Sequence, residues 1–242
     1  MASAHIPSFS SRGLVSTRVI VVGFVGGFVR SDDLRHPAVR LVRQLSEEDI
    51  YGLHAAVFEN RHLGEARKEV LHSLDTDGNG HLSRRERQNA HIILFGHSWG
   101  GSAAIKFARD LNRQGIPVQL TIEIDSVNKL FGNDCLIPPN VTGAVNFYQT
   151  RGLAHGCRAI RAADPNRTRI LGNYRFDYAS QPPGCRAFPW VDRHFLKTHQ
   201  AMDCDPRVWS RVDDDVLAQV QRFVNLRSVR LQQGPDILEA MQ

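Results

Sequence analysis

The sequence predicts an α/β protein: a mostly parallel sheet with helices on both faces, in a single domain. Three observations carry that expectation. Short aliphatic or β-branched runs alternate with segments of helical spacing along most of the chain. Such alternation needs crossover connections, and crossovers make neighbouring strands parallel. Several runs are apolar without a polar face, as in Val19–Val22 within the strand Thr17–Val22, which suits strands covered on both sides. Finally, 242 residues, 42% of them hydrophobic, are enough for one core of ordinary size.

Taken in order, residues 1–16 are small and polar and read as an N-terminal tail, leaving 17–242 as the domain. Thr17–Val22 is a strand that breaks at Gly23 into a glycine-rich turn, Gly23–Gly27. Pro37–Leu45, with Val39, Val42 and Leu45, is a short helix. Leu53–Phe58 is the next strand. Leu63–Leu74 places Leu63, Ala66, Val70, Leu71 and Leu74 at helical spacing. A loop of aspartates and glycines follows, then a short polar helix, Ser83–Ala90. His91–Phe95 is a strand, Gly100–Arg113 a helix and Val118–Ile124 a strand. Val141–Tyr148 and Thr168–Tyr174 are further strands. Residues 150–200 are irregular, a loop or cap region. Asp213–Leu226 closes the chain as an amphipathic helix.

Charged residues make up 23% of the chain and the net charge is +5. The arginines are scattered and form no basic stripe interleaved with aromatics, so no nucleic-acid partner is expected. The apolar stretch Val19–Val29 is a strand's length, whereas a membrane span needs about 20 apolar residues. Residues 1–16 lack the apolar middle of a signal peptide. The compartment stays open: secreted or periplasmic if a leader was removed. Cys135, Cys157, Cys185 and Cys204 contain no CxxC pair, which argues against a zinc site. Two disulfides in any of three pairings, or four reduced thiols, both fit.

The run Gly96-His97-Ser98-Trp99-Gly100-Gly101 carries the chemistry. A serine hydroxyl needs a base to become a nucleophile. The G-x-S-x-G pattern holds it on a sharp strand-to-helix turn, with glycines where the two backbones crowd. An apolar strand, Ile92 to Phe95, comes directly before it, and the small residues Gly101 to Ala104 directly after. Attack on an acyl carbon creates a negative oxygen that needs preorganised N–H donors. The amide of Trp99 is one candidate. The turn after the first strand supplies the other, Phe24 first and Val25 second. On these motifs the chain resembles the α/β-hydrolase superfamily across roughly residues 17–225. The Gly-His-Ser-Trp-Gly-Gly turn is similar to those of lipases, esterases and thioesterases.

The resemblance implies the order nucleophile, acid, histidine. Asp125 ends the strand that follows the nucleophile helix, so it falls on the same sheet edge as Ser98. An acid one strand over resembles the pancreatic-lipase arrangement. Asp164 and Asp177 are rivals. The histidine must come later, which leaves His155, His194 and His199. His199, in a loop shortly before the closing helix, sits where the superfamily keeps its base. His97, inside the turn, points away from Ser98 in the family pattern and receives no proton-transfer role.

Asp75 to Glu86 matches the twelve-residue EF-hand calcium loop. Asp75, Asp77, Asn79, the His81 carbonyl, Ser83 and Glu86 would supply oxygen ligands, and Gly80 stands at the sharp turn. A single loop of this kind implies a structural calcium ion rather than a sensor. No cofactor is expected for the chemistry itself.

Two classes of function follow. The first is a serine hydrolase using Ser98, His199 and Asp125 on a small-molecule ester or thioester. A peptidase or acyltransferase with the same residues is its variant. The second is an inactive calcium-binding interaction protein on a hydrolase fold. Trp99, Phe24, Phe28 and Phe131 are candidates to line an apolar acyl pocket, and oligomeric state is not legible.

Overall fold

A computed structural model describes residues 18–48, 50–128, 132–179 and 196–232. The expected tail, Phe131, Cys185 and His194 lie outside the described residues. The element order is β1 (Val19–Val25), α1 (Pro37–Glu47), β2 (Leu53–Glu59), α2 (Leu63–Leu74), α3 (Arg84–Gln88), β3 (His91–His97), α4 (Trp99–Arg113) and β4 (Val118–Ile124). It continues with β5 (Leu136–Ile137), β6 (Val141–Tyr148), β7 (Arg161–Ala162), β8 (Arg169–Arg175), α5 (Lys197–Cys204) and α6 (Pro206–Gln232).

Six strands form one sheet in the order β2-β1-β3-β4-β6-β8, and each neighbouring pair is parallel. The two-residue alternation of β1 explains how the sheet is covered. Val19, Val21 and Val25 join a cluster with Val39, Val42 and Leu45 of α1 and Trp209, Val212 and Val216 of α6. Ile20, Val22 and Phe24 join the opposite cluster with Val70 and Leu74 of α2 and Ile105, Phe107 and Leu111 of α4. With both faces of the central strands buried, an unbroken apolar run is the sequence such a strand needs. The fold is the α/β class expected, with the strand-turn-helix of the hydrolase pattern at β3–α4. Among the described residues no helix is long and apolar enough to cross a membrane.

Several boundaries differ from expectation. β1 does not break at Gly23 but runs on to Val25. A side chain at Gly23 would meet the Phe95 ring at 2.8 Å, so this glycine makes room for a neighbour inside the sheet and is not a turn residue. His199 lies on a helix, α5, where a loop was expected. This helix is mostly polar, and His199, Gln200 and Asp203 are buried beside Ala201 and Met202, so it shows no apolar stripe. The last helix starts well before Asp213. Pro206 presets its first turn, the Asp205 carbonyl accepts from the N–H groups of Val208 and Trp209, and its carboxylate accepts from that of Arg207. Ser83 stands outside α3 as its N-cap.

Cys135 and Cys157 form a disulfide beside the small β5–β7 pair, and Cys204 is disulfide-bonded too. Of the readings left open for the cysteines, the reduced one is set aside for these three.

Candidate active site

β3 ends at His97 and α4 begins at Trp99, leaving Ser98 alone in the turn with φ 58° and ψ −125°. A non-glycine residue in that region is strained and persists only where its surroundings enforce it. The enforcement is visible. A Cβ on Gly96 would collide with the Gly100 backbone, and one on Gly100 with the Phe24 carbonyl. The Ser98 N–H donates to the Ile124 carbonyl at 2.9 Å, and the Ser98 carbonyl accepts from Val127 at 3.2 Å. The turn is therefore fastened to the end of β4.

Asp125 follows β4 directly, with φ 43° and a fully buried side chain. The structure brings it together with Ser98 and His199. His199 Nε2 lies 2.7 Å from Ser98 Oγ, and His199 Nδ1 lies 2.8 Å from Asp125 Oδ2. Two more groups hold the aspartate. Gln149 Nε2 donates to Oδ2 at 2.9 Å, and the Gly156 amide donates to Oδ1 at 2.7 Å. The rivals sit elsewhere. Asp177 is half exposed and pairs with Arg151, and Asp164 accepts from Asn166 in a turn. His155 leans on the Gly156 carbonyl at 3.3 Å.

Gln149 and Gly156 were not anticipated. Gln149 follows β6, the neighbour of β4, so the sheet-edge rule that singled out Asp125 applies to it as well. Gly156 acts through its backbone, and no side-chain signal exists for that.

A second buried layer adjoins His199. The His97 ring stacks on the His199 ring, 4.8 Å between centroids, and His97 Nε2 donates to the His199 carbonyl at 3.1 Å. Asp203, one turn further along α5, accepts from His36 Nδ1 at 2.6 Å and lies 3.5 Å from His97 Nδ1. Burial pushes the His97 imidazole down to about 4, against the pull of Asp203. Burial opposes ionisation of Asp203, yet the His36 hydrogen bond and the neighbouring imidazoles outweigh it and hold its carboxyl below the usual range.

Ser98 opens onto a cleft of about 660 Å³. Phe28, Val29, Trp99, Val127, Ala154 and Leu196 give it an apolar wall. Phe28 is 83% exposed and meets the Trp99 ring edge-on at 5.7 Å. Trp99 is the first residue of α4, so its amide stands at a helix N-terminus. Phe24 does not occupy the turn expected of it. It lies within β1, paired with Phe58 and Gly96, and its ring packs in the core against Phe107. Val25 is the last strand residue. The turn itself is Gly26–Val29, closed by the Val29 N–H to the Gly26 carbonyl. A Cβ on Gly26 would sit 3.1 Å from Ser98 Cβ, which shows how closely this turn approaches the serine.

Away from the cleft, residues 75–83 link α2 to α3. Single oxygens of Asp75, Asp77 and Glu86 lie within 4.8 Å of one another, and Gly80 has φ 79°. Asp75 accepts from the amides of Asn79 and Gly80, and the Asn79 side chain accepts from that of His81. Ser83 and Glu86 form a capping box, and Glu86 also accepts from Thr76. Those hydrogen bonds, led by the Ser83 amide, hold the Glu86 carboxyl down to about 2.

No family model matches the sequence, and no curated protein matches it. Among solved structures the chain is similar to RedJ, described with a PEG molecule bound in its active site. The identity is 11% and the TM-score 0.35, over 82% of this chain and 95% of that one. It is also similar to a cutinase-like protein from Cryptococcus sp. Here the identity is 11% and the TM-score 0.39, over 84% of this chain and 95% of that one.

Proposed function

We propose that this chain is a serine hydrolase that cleaves carboxylic esters or thioesters, with Ser98 as nucleophile, His199 as base and Asp125 as its orienting acid. The observation that carries the reading is the continuous contact from Ser98 Oγ through both ring nitrogens of His199 to the buried Asp125. Asp125 accepting at Nδ1 fixes the tautomer that leaves Nε2 free to accept a proton. His199 takes the Ser98 proton as Oγ attacks the carbonyl carbon. The oxyanion that forms is held by the Trp99 amide and by an amide of the Gly26–Val29 turn. This turn replaces Phe24 in the role. His199 then gives its proton to the departing alcohol or thiol, leaving Ser98 acylated. Water, deprotonated by His199, attacks the acyl carbon, and the proton returns to Ser98 Oγ as the acid departs. The apolar cleft wall suits an apolar acyl group.

A fluorophosphonate probe tests the assignment. Labelling of the intact chain, lost in Ser98→Ala, is the expected result. Equal labelling of both, or no labelling of the intact chain, overturns it. A series of p-nitrophenyl esters of increasing acyl length reads the cleft, with turnover expected to rise beyond acetate.

Calcium at residues 75–86 is the second part of the proposal. Asp75, Asp77, Asn79, the His81 carbonyl, Ser83 and Glu86 would hold the ion, whose part is to tie α2 to α3. The convergence of Asp75, Asp77 and Glu86 supports it. Binding must compete with the hydrogen bonds that already occupy Glu86. Melting with EDTA against excess calcium decides: a higher Tm with calcium is expected, and an unchanged Tm with no bound calcium ends the idea.

A further inference from the structure

His199 and Asp203 are four residues apart on α5 and so share one helix face. His97 Nε2 meets a carbonyl oxygen, so it must carry the hydrogen, and a neutral His97 then has a bare Nδ1. That nitrogen lies 3.5 Å from Asp203 Oδ1, too far to bond and with no proton to share. Among the described residues Asp203 is thus gripped from one side, by His36. It is a buried carboxylate beside the proposed base, and in a low-dielectric interior its charge is felt more strongly than in water.

We propose that His97 and Asp203 are positioning residues for His199. His97 holds the imidazole by its face and the backbone by its carbonyl, and Asp203 sets a second negative charge beside the imidazolium that forms as Ser98 attacks. This rests on the serine-hydrolase reading. The groups that face the pair come from four places. The loop before α1 gives Asp33 and His36, with His36 Nε2 lying 3.8 Å from Asp33. The end of β3 gives His97, the end of β4 gives Asp125, and α5 gives His199 and Asp203. Asp205, just beyond, is taken by Arg207 and Tyr178. Because burial keeps His97 neutral down to about pH 4, no positive charge from it opposes His199 in the working range.

The test is Asp203→Asn, which still offers His36 an acceptor. With a short p-nitrophenyl ester, kcat is expected to fall about tenfold with KM unchanged, the scale of loss for a partner that orients a reacting group. The acid limb of kcat/KM should move to lower pH, because His199 loses a charge that favours its protonated form. The imidazole NMR titration of His199 should move the same way, and Asp203→Glu should recover part of kcat. A folded Asp203→Asn with intact kcat and an unmoved His199 titration overturns the proposal. Should that variant fail to fold, His97→Gln carries the test. It is expected to lose kcat at constant KM, and intact kcat in the folded variant overturns the proposal. Failure of the hydrolase reading looks different: Ser98→Ala would then retain turnover, and both claims fall together.

Discussion

Asp125 shows how much at this site depends on single donors. Its two oxygens receive His199, Gln149 and the Gly156 amide, in a place without water access. Asp125→Asn should leave the fold intact and lower kcat by about 10⁴, because the wrong tautomer of His199 is then favoured; steady-state kinetics and a melting curve check both halves. Gln149→Leu removes one donor and should cost about tenfold in kcat/KM, read on the same ester. His97 makes a separate prediction about stability. The unfolded chain takes up this proton near 6.5 and the folded chain near 4. Between those values the unfolded state binds more protons, so stability is complete above 6.5 and is lost as pH falls towards 4. The contribution is about 3 kcal/mol, and His97→Gln should flatten that stretch of a urea-denaturation series against pH. That Ser98, Asp125 and His199 meet was legible because a motif, a strand end and a chain order pointed to them. His36 and Asp203 were not, because only tertiary folding brings the loop before α1 and the helix α5 to one place. Phe24 was misplaced because a glycine that packs against Phe95 looks the same in sequence as one that turns the chain.

At the scale of elements, the β3–α4 turn is the least forgiving feature. Gly100→Ala forces a Cβ into the Phe24 carbonyl and should cost several kcal/mol, seen as a large drop in the denaturation midpoint. Gly64, in the first turn of α2, has nothing within 4 Å of a Cβ. Gly64→Ala should therefore stabilise the chain by a few tenths to about 1 kcal/mol in the same assay. The central strands were legible as unbroken apolar runs, and α1, α2 and α4 as helical segments between them. α5 was not, since the side chains it buries include a histidine, a glutamine and an aspartate, which no hydrophobic pattern reveals. The start of α6 was hidden for a related reason: its cap, Asp205, also bonds Tyr178 and Arg207, and the run around it reads as polar loop.

For the whole molecule, the Cys135–Cys157 bond joins the loop after β4 to the segment whose Gly156 amide grips Asp125. Closing a loop of 22 residues contributes about 3 kcal/mol by chain entropy. Replacing both Cys135 and Cys157 by serine should lower the denaturation midpoint accordingly, and a parallel fall in turnover would show that the grip on Asp125 loosens with it. The sheet order was legible only as a class, since which strand lies beside which depends on crossovers that leave no local mark. The proposed nucleophile and its base stand 101 residues apart, at the middle and near the far end of the chain. During synthesis Ser98 leaves the ribosome long before His199. A nascent or C-terminally clipped chain can form the β3–α4 turn and still hold only an ordinary, unreactive alcohol. On the proposed function, the chemistry would switch on when α5 docks, turnover would become a readout of completed folding, and an incomplete chain would leave esters around it untouched.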